Sequence, residues 1–152
     1  MNYNPEIKEQ PARPALSIRT RTSVQALPEV VGQAYGKIAG YLAELGKVPA
    51  GAPFVAYYNM DMQDLDIEIG FPVAKPQEGK GEIRASQVPG GKLAFALHTG
   101  PYREIGPAYE ALTQYVREQG CEPTGVSYEF YLNDPQETPP AELQTQVVFP
   151  LK

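Results

Sequence analysis

Gln33 to Gly51 reads QAYGKIAGYLAELGKVPAG, and Pro107 to Gly125 reads PAYEALTQYVREQGCEPTG. Laid over one another at an offset of 74, Ala34, Tyr35, Tyr41, Glu44, Gly46, Pro49 and Gly51 fall on Ala108, Tyr109, Tyr115, Glu118, Gly120, Pro123 and Gly125. The correspondence extends outward from these helices. EIKEQPARPALSIRT from Glu6 lies over EIRASQVPGGKLAFA from Glu82 at an offset of 76. VAYYNMD from Val55 lies over YEFYLND from Tyr128 at 73, and IEIGFPV from Ile67 over TQVVFPL from Thr145 at 78. Four collinear matches with slowly drifting offsets indicate a duplication with loop insertions. The chain reads as one domain, residues 1–152, built from internal repeats of about 1–79 and 80–152.

Each repeat carries the same periodicities. Ile105, Ala108, Tyr109, Leu112 and Val116 recur at three- and four-residue steps, which places them on one helix face. Pro107 suits the first turn of that helix, Gly120 its end, and Pro123 follows. In the first repeat Val31, Ala34, Tyr35, Ile38, Leu42 and Leu45 form the matching face, with Gly46 and Pro49 beyond. Leu16, Ile18 and Thr20 alternate with Ser17, Arg19 and Arg21, as a half-buried strand does. Leu65, Ile67 and Ile69 alternate in the same way with Asp64, Asp66 and Glu68, so those acids are expected on a solvated face. LAFALH, YEFYL and LQTQVVF are the strands of the second repeat, and short strands at Glu6–Glu9 and Glu82–Ser86 are expected ahead of each module. The expected fold is α+β: duplicated strand–helix–strand–strand modules forming one antiparallel sheet, with two helices on one face and a central ligand cleft.

Composition narrows the function classes. Thirteen Lys and Arg against eighteen Asp and Glu give a net charge of −5, so a phosphate-binding surface is not expected and direct nucleic-acid binding is not predicted. One cysteine, Cys121, and one histidine, His98, exclude disulfide frameworks and Cys- or His-cluster metal centres. No metal or other cofactor is expected. Cys121 follows a helix C-terminus, where the dipole disfavours a thiolate, and is expected to be a small buried thiol. No apolar run reaches membrane-spanning length and the N-terminus is polar, so a cytoplasmic protein without membrane association is expected.

Two stretches carry a family resemblance. HTGPYREIGPAYEALTQYV, with its GPY turn, and SYEFYLNDPQETPPAELQTQVVFPL, with a Tyr–Glu–x–Tyr strand running into NDP, resemble the GyrI-like, or AraC effector-binding, superfamily over essentially the whole chain. The resemblance implies a relative of the ligand-sensing domains of AraC- and MerR-type regulators, either a free-standing sensor or a fragment of something longer. It implies that Glu129 lies deep in a central cleft and pairs with lipophilic cations among aromatic side chains. It also brings in two other kinds of stand-alone member, a gyrase inhibitor and hydrolases of cyclopropane-bearing toxins. Both repeats are consumed by the duplicated module, which leaves no helix-turn-helix segment in this sequence.

Read without the resemblance, SYEFYL alternates so that Glu129 shares a strand face with Ser127 and Tyr131, while Tyr128 and Phe130 take the other. With Tyr128 and Phe130 under the helices, Glu129 and Tyr131 face the open side. A desolvated carboxylate either stays protonated or finds a cation, and tyrosine rings add cation–π attraction. The offset of 73 sets Ala56 opposite Glu129 and Tyr58 opposite Tyr131 across the repeat. The ligand-binding set is therefore Glu129, Tyr131, Tyr58 and Ala56, and the partner is a small hydrophobic or cationic ligand. Multidrug-type effector binding without catalysis is the leading reading. One alternative is a hydrolase in which Glu129 is the base and Tyr131 or Tyr58 the acid; the other is a protein-interaction module. His98, with no orienting partner nearby in sequence, is taken as structural.

Overall fold

Apolar residues at three- and four-residue steps do build one helix per repeat, α1 (Leu27–Glu44) and α2 (Gly106–Glu118). Each buries the expected stripe: Ala34, Ile38 and Leu42 in α1, and Ala108, Leu112 and Val116 in α2. Both end in the same way. Gly46 and Gly120 adopt φ of +68° and +71°, a conformation without steric cost only for glycine. The Lys47 N–H then donates to the Leu42 carbonyl and the Gly46 N–H to Ala43, while Cys121 donates to Val116 and Gly120 to Arg117. These are paired Schellman closures, which satisfy carbonyls the last turn leaves open. Leu45, expected on the buried stripe, is the C-cap of α1 and is 38% exposed. Cys121 lies beyond the α2 closure and is half-buried rather than buried.

The computed structural model describes residues 3–152. Among these residues there are eight strands: β1 (Glu6–Gln10), β2 (Arg13–Thr22), β3 (Phe54–Tyr57), β4 (Leu65–Pro72), β5 (Arg84–Val88), β6 (Gly91–Thr99), β7 (Ser127–Tyr131) and β8 (Gln144–Pro150). Each repeat thus supplies strand, strand, helix, strand, strand, and the class is α+β with antiparallel pairing. The chain forms two compact units, residues 12–89, and residues 3–11 together with 90–152. In the first, β4 pairs with β3 and β2, and β2 pairs with β5. In the second, β6 pairs with β1 and β8, and β8 pairs with β7. The leading strand of each repeat is therefore given to the other repeat's sheet: Glu6 opposes Phe95, and Val88 opposes Arg13.

Within the 12–89 unit, α1 packs on the face that carries Leu16, Ile18, Ile67, Ile69 and Phe71, with Tyr35 tilted on Phe71 at 5.2 Å. In the other unit Leu112 and Val116 of α2 pack with Ala94, Ala96, Val147 and Phe149. Each large side chain so buried contributes about 1.5–3 kcal/mol. Gly70, in the middle of β4, is required by a close approach. A Cβ there would meet the Leu16 carbonyl oxygen at 2.6 Å, and the Phe54 ring and Ser17 Cβ at 2.9 Å. Gly70→Ala is expected to destabilise the protein by about 1–3 kcal/mol through overpacking, measured by chemical denaturation. A change within about 0.5 kcal/mol, the usual range for a surface site, would contradict this packing.

Candidate functional site in the carboxyl-terminal unit

Strand β7 alternates as SYEFY, and its register decides which way Glu129 points. Glu129 lies opposite Val147 of β8, and Val147 opposite Ala96 of β6. Val147 and Ala96 belong to the core under α2, so Glu129 lies on the helix side of its sheet. The expectation that it faces away from the helix is corrected. Tyr128 and Phe130 occupy the other face, with their rings stacked at 6.2 Å. Both faces of β7 carry buried residues, and alternation alone does not say which of them the helix covers.

Facing α2, the Glu129 carboxyl group meets two hydroxyls. Tyr109 of α2 donates to Oε2, and Tyr131 donates to Oε1 at 2.9 Å. Tyr102 packs edge-on against Tyr131, with ring centroids 5.3 Å apart. Tyr102 comes from the GPY turn, which is built from the backbone up. Gly100 takes φ +134° and its N–H donates to the Leu143 carbonyl at 2.7 Å; a short 3₁₀ turn, Tyr102–Glu104, follows Pro101. His98, just ahead of the turn and 1% exposed, bonds the Pro101 carbonyl through Nε2 at 2.9 Å.

Residue 129 as a whole is half-buried, but its carboxyl group is closely enclosed. Desolvation raises its pKa above the ordinary glutamate value, and the hydroxyls of Tyr109 and Tyr131, with a smaller effect of His98, offset part of the rise. The Tyr102 hydroxyl is also raised, by burial first and then by the charges of Asp134 and Glu129. Such a group can hold a proton, exchange it as a general acid or base, or give it up to pair with a cation.

Of the residues expected at the site, Glu129 and Tyr131 are brought together. Ala56 and Tyr58 lie in the 12–89 unit. Ala56 is fully buried and opposes Glu68, and Tyr58 donates to Glu68 Oε1 at 2.5 Å. Ser17 and Ser86 donate to Glu68 Oε2 at 2.6 and 2.5 Å. Glu68 is thus a buried, three-hydroxyl-bonded carboxyl rather than a solvated charge. Arg19 stacks on the Tyr58 ring at 3.7 Å and forks onto Asp66 at 2.6 and 2.8 Å, which holds the Asp66 carboxyl below its ordinary range. Asp64 pairs with Arg21. Among the described residues no cluster of three His, Cys, Asp or Glu forms a metal site.

The strand registers also shift the equivalence between repeats by one residue. Val55 opposes Ile69 as Glu129 opposes Val147, so the counterpart of Glu129 is Val55 and that of Tyr131 is Tyr57. This is the spacing that relates the two helices. Tyr102 and Tyr109 were missed as site residues. Tyr109 lies on the apolar stripe of α2, and a tyrosine on such a stripe packs its ring while its hydroxyl still seeks a polar partner.

A sequence profile described as the GyrI-like small molecule binding domain matches residues 3–152. The chain belongs to the GyrI-like family. Among curated protein sequences none matches it significantly. Among solved structures, this GyrI-like chain is similar to the C-terminal domain of EcmrR, with a TM-score of 0.82 and 24% identity over 100% of this chain and 99% of that one. It is also similar to EcmrR in a complex with DNA (TM-score 0.84, 22% identity, 99% of this chain), where it spans 57% of the EcmrR chain's length. A hydrolase from Listeria innocua has a TM-score of 0.72 at 13% identity, covering 99% and 93% of the two chains. SAV2435 bound to tetraphenylphosphonium has a TM-score of 0.69 at 13% identity, covering 100% and 94%. These likenesses show the fold. No helix of the described residues is long and apolar enough to cross a membrane.

A raised carboxyl pKa has a definite sign in stability. Below the ordinary glutamate range both folded and unfolded chains are protonated at residue 129, and the group costs nothing. As pH rises, the unfolded chain ionises first, so stability falls until the folded carboxyl also ionises. Glu129→Gln removes this loss. Denaturant titrations from about pH 4 to about pH 7.5 are expected to show the variant gaining on the wild type as pH rises. A pH-independent difference would contradict the desolvated carboxyl.

Proposed function

We propose that this GyrI-like chain binds hydrophobic cations, with Glu129 as the counter-charge and the rings of Tyr102, Tyr109 and Tyr131 as the enclosing surface. The observation that carries the reading is a carboxyl group enclosed on the helix side of its sheet and bonded, among the described residues, by tyrosine hydroxyls. Hydroxyls orient the carboxylate but leave its charge uncompensated, and a cation supplies what they lack. Ring faces around the charge favour a flat or aryl-bearing cation over a small hydrated one. SAV2435, of like fold, is described bound to tetraphenylphosphonium, which supports the same class of ligand here. The likeness to EcmrR supports a sensing role, and a net charge of −5 argues against direct DNA contact by these 152 residues themselves.

The proposal is tested by titrating tetraphenylphosphonium into wild-type protein and Glu129→Gln while following tyrosine fluorescence. Glu129→Gln is expected to weaken binding by about 1–3 kcal/mol, the range for losing a charged partner. Triphenylphosphine oxide, neutral and of similar shape, should bind both proteins weakly and alike. Wild-type affinity for the cation should also rise with pH, because the carboxyl must ionise to pair. Equal affinity of the cation for the two proteins would overturn the reading.

A further inference from the structure

Beside the Glu129 carboxyl, the same sheet face holds two polar atoms that the protein leaves unsatisfied. Thr145 of β8 opposes His98 of β6 on one side and Tyr131 of β7 on the other. His98 and Thr145 are 1% and 0% exposed. Among the described residues, His98 Nδ1 and Thr145 Oγ1 are buried without a hydrogen-bond partner. Two such atoms on adjacent strands are unusual, since buried polar groups are nearly always paired with protein, water or ligand. Their chemistry is set by the GPY turn. The Pro101 carbonyl only accepts, so the bond at 2.9 Å places a ring proton on Nε2, and in that tautomer Nδ1 is the acceptor. Thr145 Oγ1 both donates and accepts.

We infer that His98 and Thr145 form a recess beside Glu129 that takes a hydroxyl group carried by the bound cation. A hydroxyl is the group that fits both partners: its proton goes to Nδ1 while its oxygen accepts from the Thr145 hydroxyl. An ammonium group donates but cannot accept, and a carbonyl accepts but cannot donate. Glu129 lies two residues before Tyr131 on the same face, so it is a diagonal neighbour of Thr145, roughly 7–8 Å away across the strands. One aromatic ring between charge and hydroxyl spans that separation. The inference rests on the cation reading of Glu129 and adds the second recognition element of the ligand class: an aryl-bearing cation with a phenol or alcohol arm.

The test compares tetraphenylphosphonium with (4-hydroxyphenyl)triphenylphosphonium, which differ by one hydroxyl at constant charge. Wild-type protein is expected to bind the hydroxyl compound roughly three- to tenfold more tightly. Thr145→Val should abolish that preference and leave the parent cation unaffected, whereas Thr145→Ser should retain it. Thermal unfolding of each variant checks that it folds, and Thr145→Ser keeps the test decisive if Thr145→Val does not. Equal wild-type affinity for the two compounds, or a preference that survives in Thr145→Val, would overturn the recess. Loss of Glu129 dependence for the parent cation would overturn the counter-charge reading alone, and the hydroxyl preference would still judge His98 and Thr145.

Discussion

A carboxyl group taken out of water must keep its proton or acquire a positive partner, and Glu129 meets that constraint between β7 and α2. Its carboxyl oxygens receive hydroxyls from Tyr109 and Tyr131, which fix its orientation without neutralising it. Desolvation dominates those bonds, so the acid is held in tension between a protonated and a paired state. Much of the surrounding architecture serves that placement. The Schellman closure of α2 at Gly120 ends the helix that brings in Tyr109, and Gly100 with Pro101 turns the chain to set Tyr102 against Tyr131.

The two repeats solve the same packing problem with different polar content. In residues 12–89 the buried glutamate is Glu68, on the sheet face away from α1, and three hydroxyls bond it. The neighbouring ring of Tyr58 is already covered by a cation, the Arg19 guanidinium. In the carboxyl-terminal unit Glu129 lies on the helix face, bonded by the hydroxyls of Tyr109 and Tyr131, and among the described residues two buried polar atoms next to it have no hydrogen-bond partner. One duplicated scaffold thus carries a self-satisfied carboxyl cluster in one unit and a receptive one in the other. A duplication with this asymmetry retains the fold while freeing one copy to specialise.

The fold was legible in the sequence because the signals that set it are local. Steps of three and four among Ala108, Leu112 and Val116, and the glycines at 46 and 120, fix the helices without knowledge of tertiary contacts. The exchange of leading strands was not legible, since Glu6–Gln10 pairs with residues 81–89 positions away and Arg84–Val88 with residues 67–75 away, and a five-residue strand carries no address for its partner. The site was legible in part. Glu129 and Tyr131 stand out as a carboxyl among rings, but their face depends on a register that a one-residue slip inverts. The offset of 73 pairs Ala56 and Tyr58 with Glu129 and Tyr131, whereas the strand registers make Val55 and Tyr57 their structural counterparts. Glu68 escaped for a related reason: alternation separates two faces, and says nothing of whether the second is buried as well.

The most direct measurement is a carbon-13 NMR titration of the Glu129 carboxyl, assigned by comparison with Glu129→Gln, in the empty protein and in protein saturated with tetraphenylphosphonium. The account predicts a midpoint above the ordinary glutamate value of about 4.3 in the empty protein, and a lower midpoint once the cation is bound. A midpoint at the ordinary value that the cation leaves unmoved would contradict it.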